Sequence, residues 1–145
     1  MRIINLTQHT STPDQKLAGL EDLHEGAHDE IRGWITFSSM PSHTDLKVRA
    51  EGCAAACYEY GRYQNGAPPK YALIGGAPFF QPYLAQALRD RGIIALYAFS
   101  QRVTEEIDGV KKSVFKHEGF LTHFEADKFL FEEHMGQHFF TEEVA

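Results

Sequence analysis

Apolar and polar positions along the chain follow two rhythms, one of strands and one of helices, and together they predict an α/β protein. Arg2-Ile3-Ile4-Asn5-Leu6 is a short apolar run that ends in polar Thr7-Gln8-His9-Thr10, the pattern of a buried strand feeding a loop. Thr12, Pro13 and Gln15 then set a helix start: a capping hydroxyl, a proline suited to the first position, and the second half of a capping box. That helix is short and carries Leu17 and Leu20. Residues 21–33 are acidic and punctuated by glycine, so they read as a loop or frayed helix, and Trp34 to Phe37 reads as a second strand. Ser42 opens a longer helix with Asp45 in the capping box. Leu46, Ala50, Cys53, Cys57 and Tyr60 recur at helical spacing to about residue 61, and Asn65-Gly66-Ala67-Pro68-Pro69 breaks it.

The next stretch is the most legible. Tyr71-Ala72-Leu73-Ile74 is a strand, Gly75-Gly76 a turn, and residues 80–91 a helix with Phe80, Leu84 and Leu88 on one face. Gly92 caps that helix, and Ile93 to Phe99 is a fully apolar strand. This is a βαβ unit, for which a right-handed crossover and parallel strands are expected. Asp108-Gly109 lies between two strand-like runs, Arg102–Ile107 and Val110–Phe115, and predicts a two-residue hairpin. The register pairs Glu106 with Lys111, Glu105 with Lys112 and Val103 with Val114, two opposite charges and one β-branched pair. Continued outward, Arg102 faces Phe115 and Ser100 faces His117. From Ala126 the tail reads as an acidic helix, about 126–145, with Phe129, Leu130 and Met135 as its apolar positions. No repeat or linker divides residues 1–145, so one domain is expected.

Composition narrows the classes. With 43 % hydrophobic residues in 145, one core suffices, and at this length folding buries roughly 70 % of the unfolded chain's surface. A net charge of −6 argues against a duplex-DNA partner, which would meet a basic face. No apolar run approaches the ~20 residues of a membrane span, and the first residues lack a charged-then-apolar signal segment. The two cysteines sit four apart in an alanine-rich stripe, which fits core positions in a reduced, cytoplasmic protein.

In open α/β sheets, ligands bind beyond the carboxyl ends of the parallel strands. Three such ends can be named: Thr7-Gln8-His9-Thr10, Gly75-Gly76-Ala77-Pro78-Phe79, and Ser100-Gln101-Arg102. The glycines let a ligand approach the backbone, and the helix that follows offers unpaired N–H groups to an anion. Arg102 brings a permanent charge and a fork that fits phosphate. Ser100 and His117 add a hydroxyl and an imidazole, and the alternation puts Ser100, Arg102, Ser113 and His117 on one hairpin face. The plainer alternatives are a tight turn at Gly75-Gly76, a satisfied surface pair at Ser100 and His117, and a loop cap at His9.

The eight histidines suggest metal, and His24-Glu25-Gly26-Ala27-His28 matches the H-E-x-x-H zinc pattern. That pattern needs a firm helix against the core. Here Gly26 lies inside it, and Asp22, Asp29 and Glu30 crowd its flanks. His134 and His138 repeat the spacing with Gly136 between them. Solvated histidines are therefore expected, with no metal and no cofactor.

The chain resembles the small CRISPR-associated Rossmann-fold proteins, specifically their compact single-domain ring-nuclease branch. The segments that carry the resemblance are Gln8 to Gln15, Gly75 to Phe80, Tyr97-Ala98-Phe99-Ser100-Gln101-Arg102, and Lys111 to His117. They fall at both ends of the first 120 residues, while 21–70 and the tail after 125 have no counterpart. Pro78 is extra, and Gln8 stands where the family has Asn. The resemblance implies a Rossmann-like, mostly parallel sheet with helices on both faces and a C-terminal β-hairpin. It also implies a homodimer that binds a cyclic oligoadenylate across its two-fold axis, with metal-independent cleavage by the ligand's own 2′-hydroxyl in some members. On it, Arg102, His117 and Ser100 are the expected catalytic groups. Thr7, Gln8, His9, Thr10, Gly75, Gly76, Ala77, Pro78, Phe79, Gln101 and Ser113 are the expected ligand contacts. A non-catalytic sponge would share those contacts. Similar proteins occur in phages, where the host cytoplasm is the setting.

Overall fold

Five strands form one sheet in the order β2-β1-β3-β4-β5 in the computed structural model, which describes residues 2–134. The elements are β1 (Ile3–Asn5), α1 (Pro13–Leu17), β2 (Leu20–Glu21), α2 (Glu25–Ile35), α3 (His43–Asn65), β3 (Tyr71–Leu73), α4 (Gln81–Arg89), β4 (Ile94–Ile107) and β5 (Val110–Thr122). The strands β2, β1, β3 and β4 run parallel, and β5 returns antiparallel to β4. The fold is thus α/β, Rossmann-like in its layering, with a C-terminal hairpin. Among the described residues no helix is long and apolar enough to cross a membrane.

Parallel strands must be covered on both faces, and alternation sorts their side chains accordingly. Ile4, Leu6, Ala72, Ile74 and Ala95 face a core shared with α2, α3 and α4. Ile3, Leu20, Tyr71, Leu73 and Leu96 face a smaller cluster closed by Phe120 and Phe131. Both cysteines lie in the larger core as free thiols. Burial pushes the Cys57 thiol up to about 12, so it stays protonated and inert. The chain order turns at β1 and β3, so the carboxyl ends of those two strands flank the crevice where such sheets take ligands.

The capping boxes at Thr12 and Ser42 form as expected. So does the whole hairpin register, including Ser100 opposite His117 and Arg102 opposite Phe115. Several local expectations are corrected. The stretch 21–33 is neither loop nor frayed helix: Leu20–Glu21 adds an edge strand and Glu25–Ile35 is a helix. Trp34 and Ile35 end that helix rather than opening a strand. The helix buries Ala27, His28, Ile31 and Ile35 along one stripe, and tertiary packing overrides its glycines and acidic residues. The first helix stops at Leu17, which is exposed, and buries no residue. The helix expected over 80–91 spans Gln81–Arg89.

The hairpin strands run well past the expected limits, with an irregularity between Phe99 and Ser100 that leaves Glu118 without a partner on β4. The tail begins as a 3-10 turn over Glu125–Asp127 and continues helical over 128–134. There Phe131 is buried while Phe129 and Leu130 are exposed, the reverse of the expected face. Met135 and the rest of the expected tail helix lie outside the described residues.

Candidate functional site

The loop after β1 is held from beneath by one buried side chain. Asn5 accepts hydrogen bonds from the Thr7 N–H (2.9 Å) and hydroxyl (2.7 Å), and donates to the His9 carbonyl at 2.7 Å and to Asp22 at 2.8 Å. Asp22 in turn accepts from the Ser11 hydroxyl at 2.6 Å and from its N–H. Burial raises the Asp22 pKa, but the hydrogen bonds from Ser11 and Asn5 outweigh it and hold the carboxyl below its ordinary value. A second brace comes from α2, where buried His28 bonds the Thr7 carbonyl at 3.0 Å through Nε2. Gln8 donates to the Thr36 hydroxyl at 3.3 Å, tying the loop to the C-cap of α2. The rings of His9 and the side chain of Thr10 are exposed.

Thr7 also meets the second strand end. A Cβ on Gly75 would lie 3.6 Å from the Thr7 methyl group, so the β1 and β3 loops touch across the crevice. Gly76 has φ of 90°, which is a glycine conformation and lets the chain turn away from the sheet. The helix does not follow at once: Ala77, Pro78 and Phe79 intervene, and α4 starts at Gln81 with no side-chain cap at Phe80. Phe79 packs edge-on against Phe37, with ring centres 5.2 Å apart, on the side of the sheet covered by α2 and α3.

The hairpin carries a second cluster. Ser100, Arg102, Ser113 and His117 share its face, and the Arg102 guanidinium lies 5.0 Å over the Phe115 ring. His117 is half-buried against Phe120, with ring centres 4.6 Å apart. Its Nδ1 is buried with no hydrogen-bond partner among the described residues. Burial pushes its pKa below the ordinary 6.5, and the negative charge of Asp14 on α1 works the other way. That influence has a structural source. The sheet order sets β5 three strands from β1, yet α1 packs close to β5.

The expected residues therefore fall into two groups. Thr7 and Gly75 meet at the β1–β3 crevice. Ser100, Arg102 and His117 are ladder neighbours on one hairpin face, with Ser113 on the same face four residues before His117 and opposite Thr104. Gln101 lies on the opposite hairpin face and does not join them. Phe79 is turned toward Phe37, and Gln8 toward Thr36. Asn5, Ser11, Asp22 and His28 were missed by the sequence reading, since each is polar and only its partners in space reveal a role.

The H-E-x-x-H pair is divided between two structural tasks. His24 caps α2 by accepting from the Ala27 N–H at 3.3 Å, and His28 faces inward on the Thr7 carbonyl. His134 pairs with the Tyr71 hydroxyl, and His138 lies outside the described residues. No three His, Cys, Asp or Glu side chains converge among the described residues.

Fold and site together define a small α/β protein with its candidate chemistry at the carboxyl edge of a parallel sheet and on the C-terminal hairpin that extends the sheet. A family model matches residues 1–121, and the chain belongs to the family it describes, the uncharacterized protein MJ1673 family. No curated protein matches the chain, and no solved structure does.

Proposed function

We propose that the chain, as a cytoplasmic homodimer, binds a cyclic oligonucleotide second messenger, first of all a cyclic oligoadenylate. It linearises the ring without a metal and so switches off antiviral signalling. The observation that supports the reading is the hairpin face, where a permanent cation, a hydroxyl and an imidazole whose pKa burial lowers are ladder neighbours on the strand that continues past the sheet's carboxyl edge. In the reaction, the 2′-oxygen of one nucleotide attacks its own 3′-phosphorus and the 5′-oxygen of the next leaves. The products carry a 2′,3′-cyclic phosphate and a 5′-hydroxyl.

In-line alignment of the 2′-oxygen supplies several kcal/mol of the acceleration. His117 takes the 2′-hydroxyl proton, and its depressed pKa keeps the imidazole free to accept it at neutral pH. Arg102 stabilises the charge that grows on the phosphate. Ser100 orients the phosphate, exposed His9 returns a proton to the leaving oxygen, and the Gly75–Gly76 backbone holds a neighbouring phosphate.

The test is to incubate the full chain with a panel of cyclic oligonucleotides, denature it and separate the nucleotides by chromatography. Linear products in excess over protein are expected. Intact ligand recovered in stoichiometric amount would replace cleavage with sequestration, and no retention of any ring would end the reading.

A further inference from the structure

Past Leu96 the hairpin leaves the body of the sheet. β5 is an edge strand of 13 residues, and among the described residues no further strand pairs with it. Apolar side chains on both faces of the ribbon stand in solvent: Phe99, Val110 and Leu121 on one, and Phe115, 68 % exposed, on the other. A lone two-stranded ribbon is marginal in water, and a long open edge is a template for another strand. Lysines usually guard such edges. Here each lysine is answered from β4: Lys111 stands opposite Glu106, Lys112 opposite Glu105, and Lys116 reaches Glu105 at 2.6 Å.

The turn decides which backbone groups point outward. Asp108 and Gly109 both have positive φ, the two-residue type I′ loop in which the flanking Ile107 and Val110 exchange both hydrogen bonds. Alternation from there turns the N–H and C=O groups of Lys111, Ser113, Phe115 and His117 away from β4.

We propose that β5 of a second copy of this chain pairs antiparallel with this edge, about a two-fold axis through Phe115. An axis at Val114 opposes Lys112 to Lys116, and one at Lys116 opposes that lysine to itself, both destabilising. An axis at Ser113 gives no lysine an acidic partner. One at His117 sets the bulge directly beside the axis and offers Glu118 only to Lys116, which Glu105 already holds at 2.6 Å. The axis at Phe115 sets Lys112 opposite Glu118 twice, using the residue that β4 leaves unpaired. Two five-stranded sheets become one of ten. Ser113 of each copy then stands opposite the partner's His117, so each candidate site is completed by the other chain. This names the surface of the homodimer in the functional reading and rests on that reading for its partner, not for its ligand.

The test is sedimentation equilibrium of the full chain without nucleotide. A dimer is expected at about 100 µM, a concentration that populates any association of functional strength. Phe115→Pro removes a donor that β4 does not use, as edge strands tolerate, and should give a monomer with unchanged far-ultraviolet circular dichroism. K112E and E118K should each raise the dissociation constant about tenfold, and the double variant K112E/E118K should restore it. A monomeric wild type, or a dimer indifferent to both single charge reversals, overturns the proposal. Should Phe115→Pro fail to fold, the charge reversals still decide it. A dimer that ignores every nucleotide would defeat the functional reading alone, and a monomer that cleaves would defeat this one alone.

Discussion

Ser100 stands opposite His117 in the β4–β5 ladder, beside the bulge, and the His117 Nδ1 is buried there without a partner. Burial disfavours the imidazolium and lowers the pKa below 6.5, while Asp14 partly offsets it. A base is active when deprotonated, so the acid limb of the cleavage rate should lie below pH 6.5. Asp14→Asn removes the opposing charge and should move that limb lower still. Single-turnover rates between about pH 5 and 8 check both. An acid limb at or above the ordinary histidine value, or full activity in His117→Ala, removes His117 from the role.

Arg102 is held over Phe115 and presents its fork on the same face. Arg102→Ala should lower the cleavage rate by roughly 100- to 1000-fold, the usual loss for one donor to a developing oxyanion. Arg102→Lys keeps the charge but loses the bidentate geometry, so binding should survive better than turnover. Equal losses in binding and rate for Arg102→Lys would assign Arg102 to ground-state binding instead.

Asp22 holds the β1–α1 loop through Ser11 and Asn5. Asp22→Ala leaves those two donors without their acceptor and should cost about 1–3 kcal/mol of stability. The pH dependence has a definite sign. The folded carboxyl has a pKa below the ordinary 3.8, so its contribution is fully present above 3.8 and is lost as pH falls from there through the lower folded value. Thermal unfolding across this range should show a steeper acid loss in the wild type than in Asp22→Asn. Identical slopes would mean that the hydrogen bonds do not favour the ionised form.

Gly52 lies mid-helix, where glycine is costly, and the reason is Trp34. A Cβ on Gly52 would stand 2.7 Å from the indole ring. Helix propensity alone makes Gly52→Ala stabilising by up to about 1 kcal/mol. The clash should reverse that sign, with a loss of about 1–3 kcal/mol as Trp34 is displaced. Denaturant unfolding measures the sign, and tryptophan fluorescence of the single Trp reports the displacement.

Local chemistry was legible wherever it was strong. Thr12-Pro13-Asp14-Gln15 and Ser42 with Asp45 carried their capping boxes in the sequence, and Asp108-Gly109 fixed the hairpin register as far out as Ser100 and His117. What escaped depended on the third dimension. Leu20–Glu21 is a two-residue edge strand that exists because β1 is beside it, too short for any periodicity. The helix Glu25–Ile35 has Gly26 and Gly33 against it, and its inward stripe becomes visible only once α3 is in place. At the site, the β1 and β3 ends on one edge were readable from the βαβ order. Ser100-Gln101-Arg102, expected as a third strand end, lies instead inside β4, because the hairpin ladder continues through it. The Asn5–Asp22–Ser11 clasp was not readable, because a polar residue at the end of an apolar run looks like the start of a loop. The approach of α1 to β5 was equally hidden, since no pattern of side chains along the chain marks a contact between elements so far apart in the sheet order.

Gly75 and Gly76 give the two halves of a test for the β1–β3 crevice. Gly76 has φ of 90°, and any side chain there is strained, so Gly76→Ala should cost about 1–2 kcal/mol of stability. Gly75 is different: its backbone is not in the left-handed region, and an added Cβ meets only the Thr7 methyl at 3.6 Å, an ordinary contact. Gly75→Ala should therefore fold with near wild-type stability while placing a methyl group in the crevice between Thr7 and Gly76. If a phosphate approaches the backbone there, ligand affinity should fall about tenfold or more, the weight of one good hydrogen bond to a charged group. Calorimetric titration with whichever ring the wild type retains measures it. Unchanged affinity in a stable Gly75→Ala would move the ligand off the crevice and leave the hairpin face as its only contact of the two.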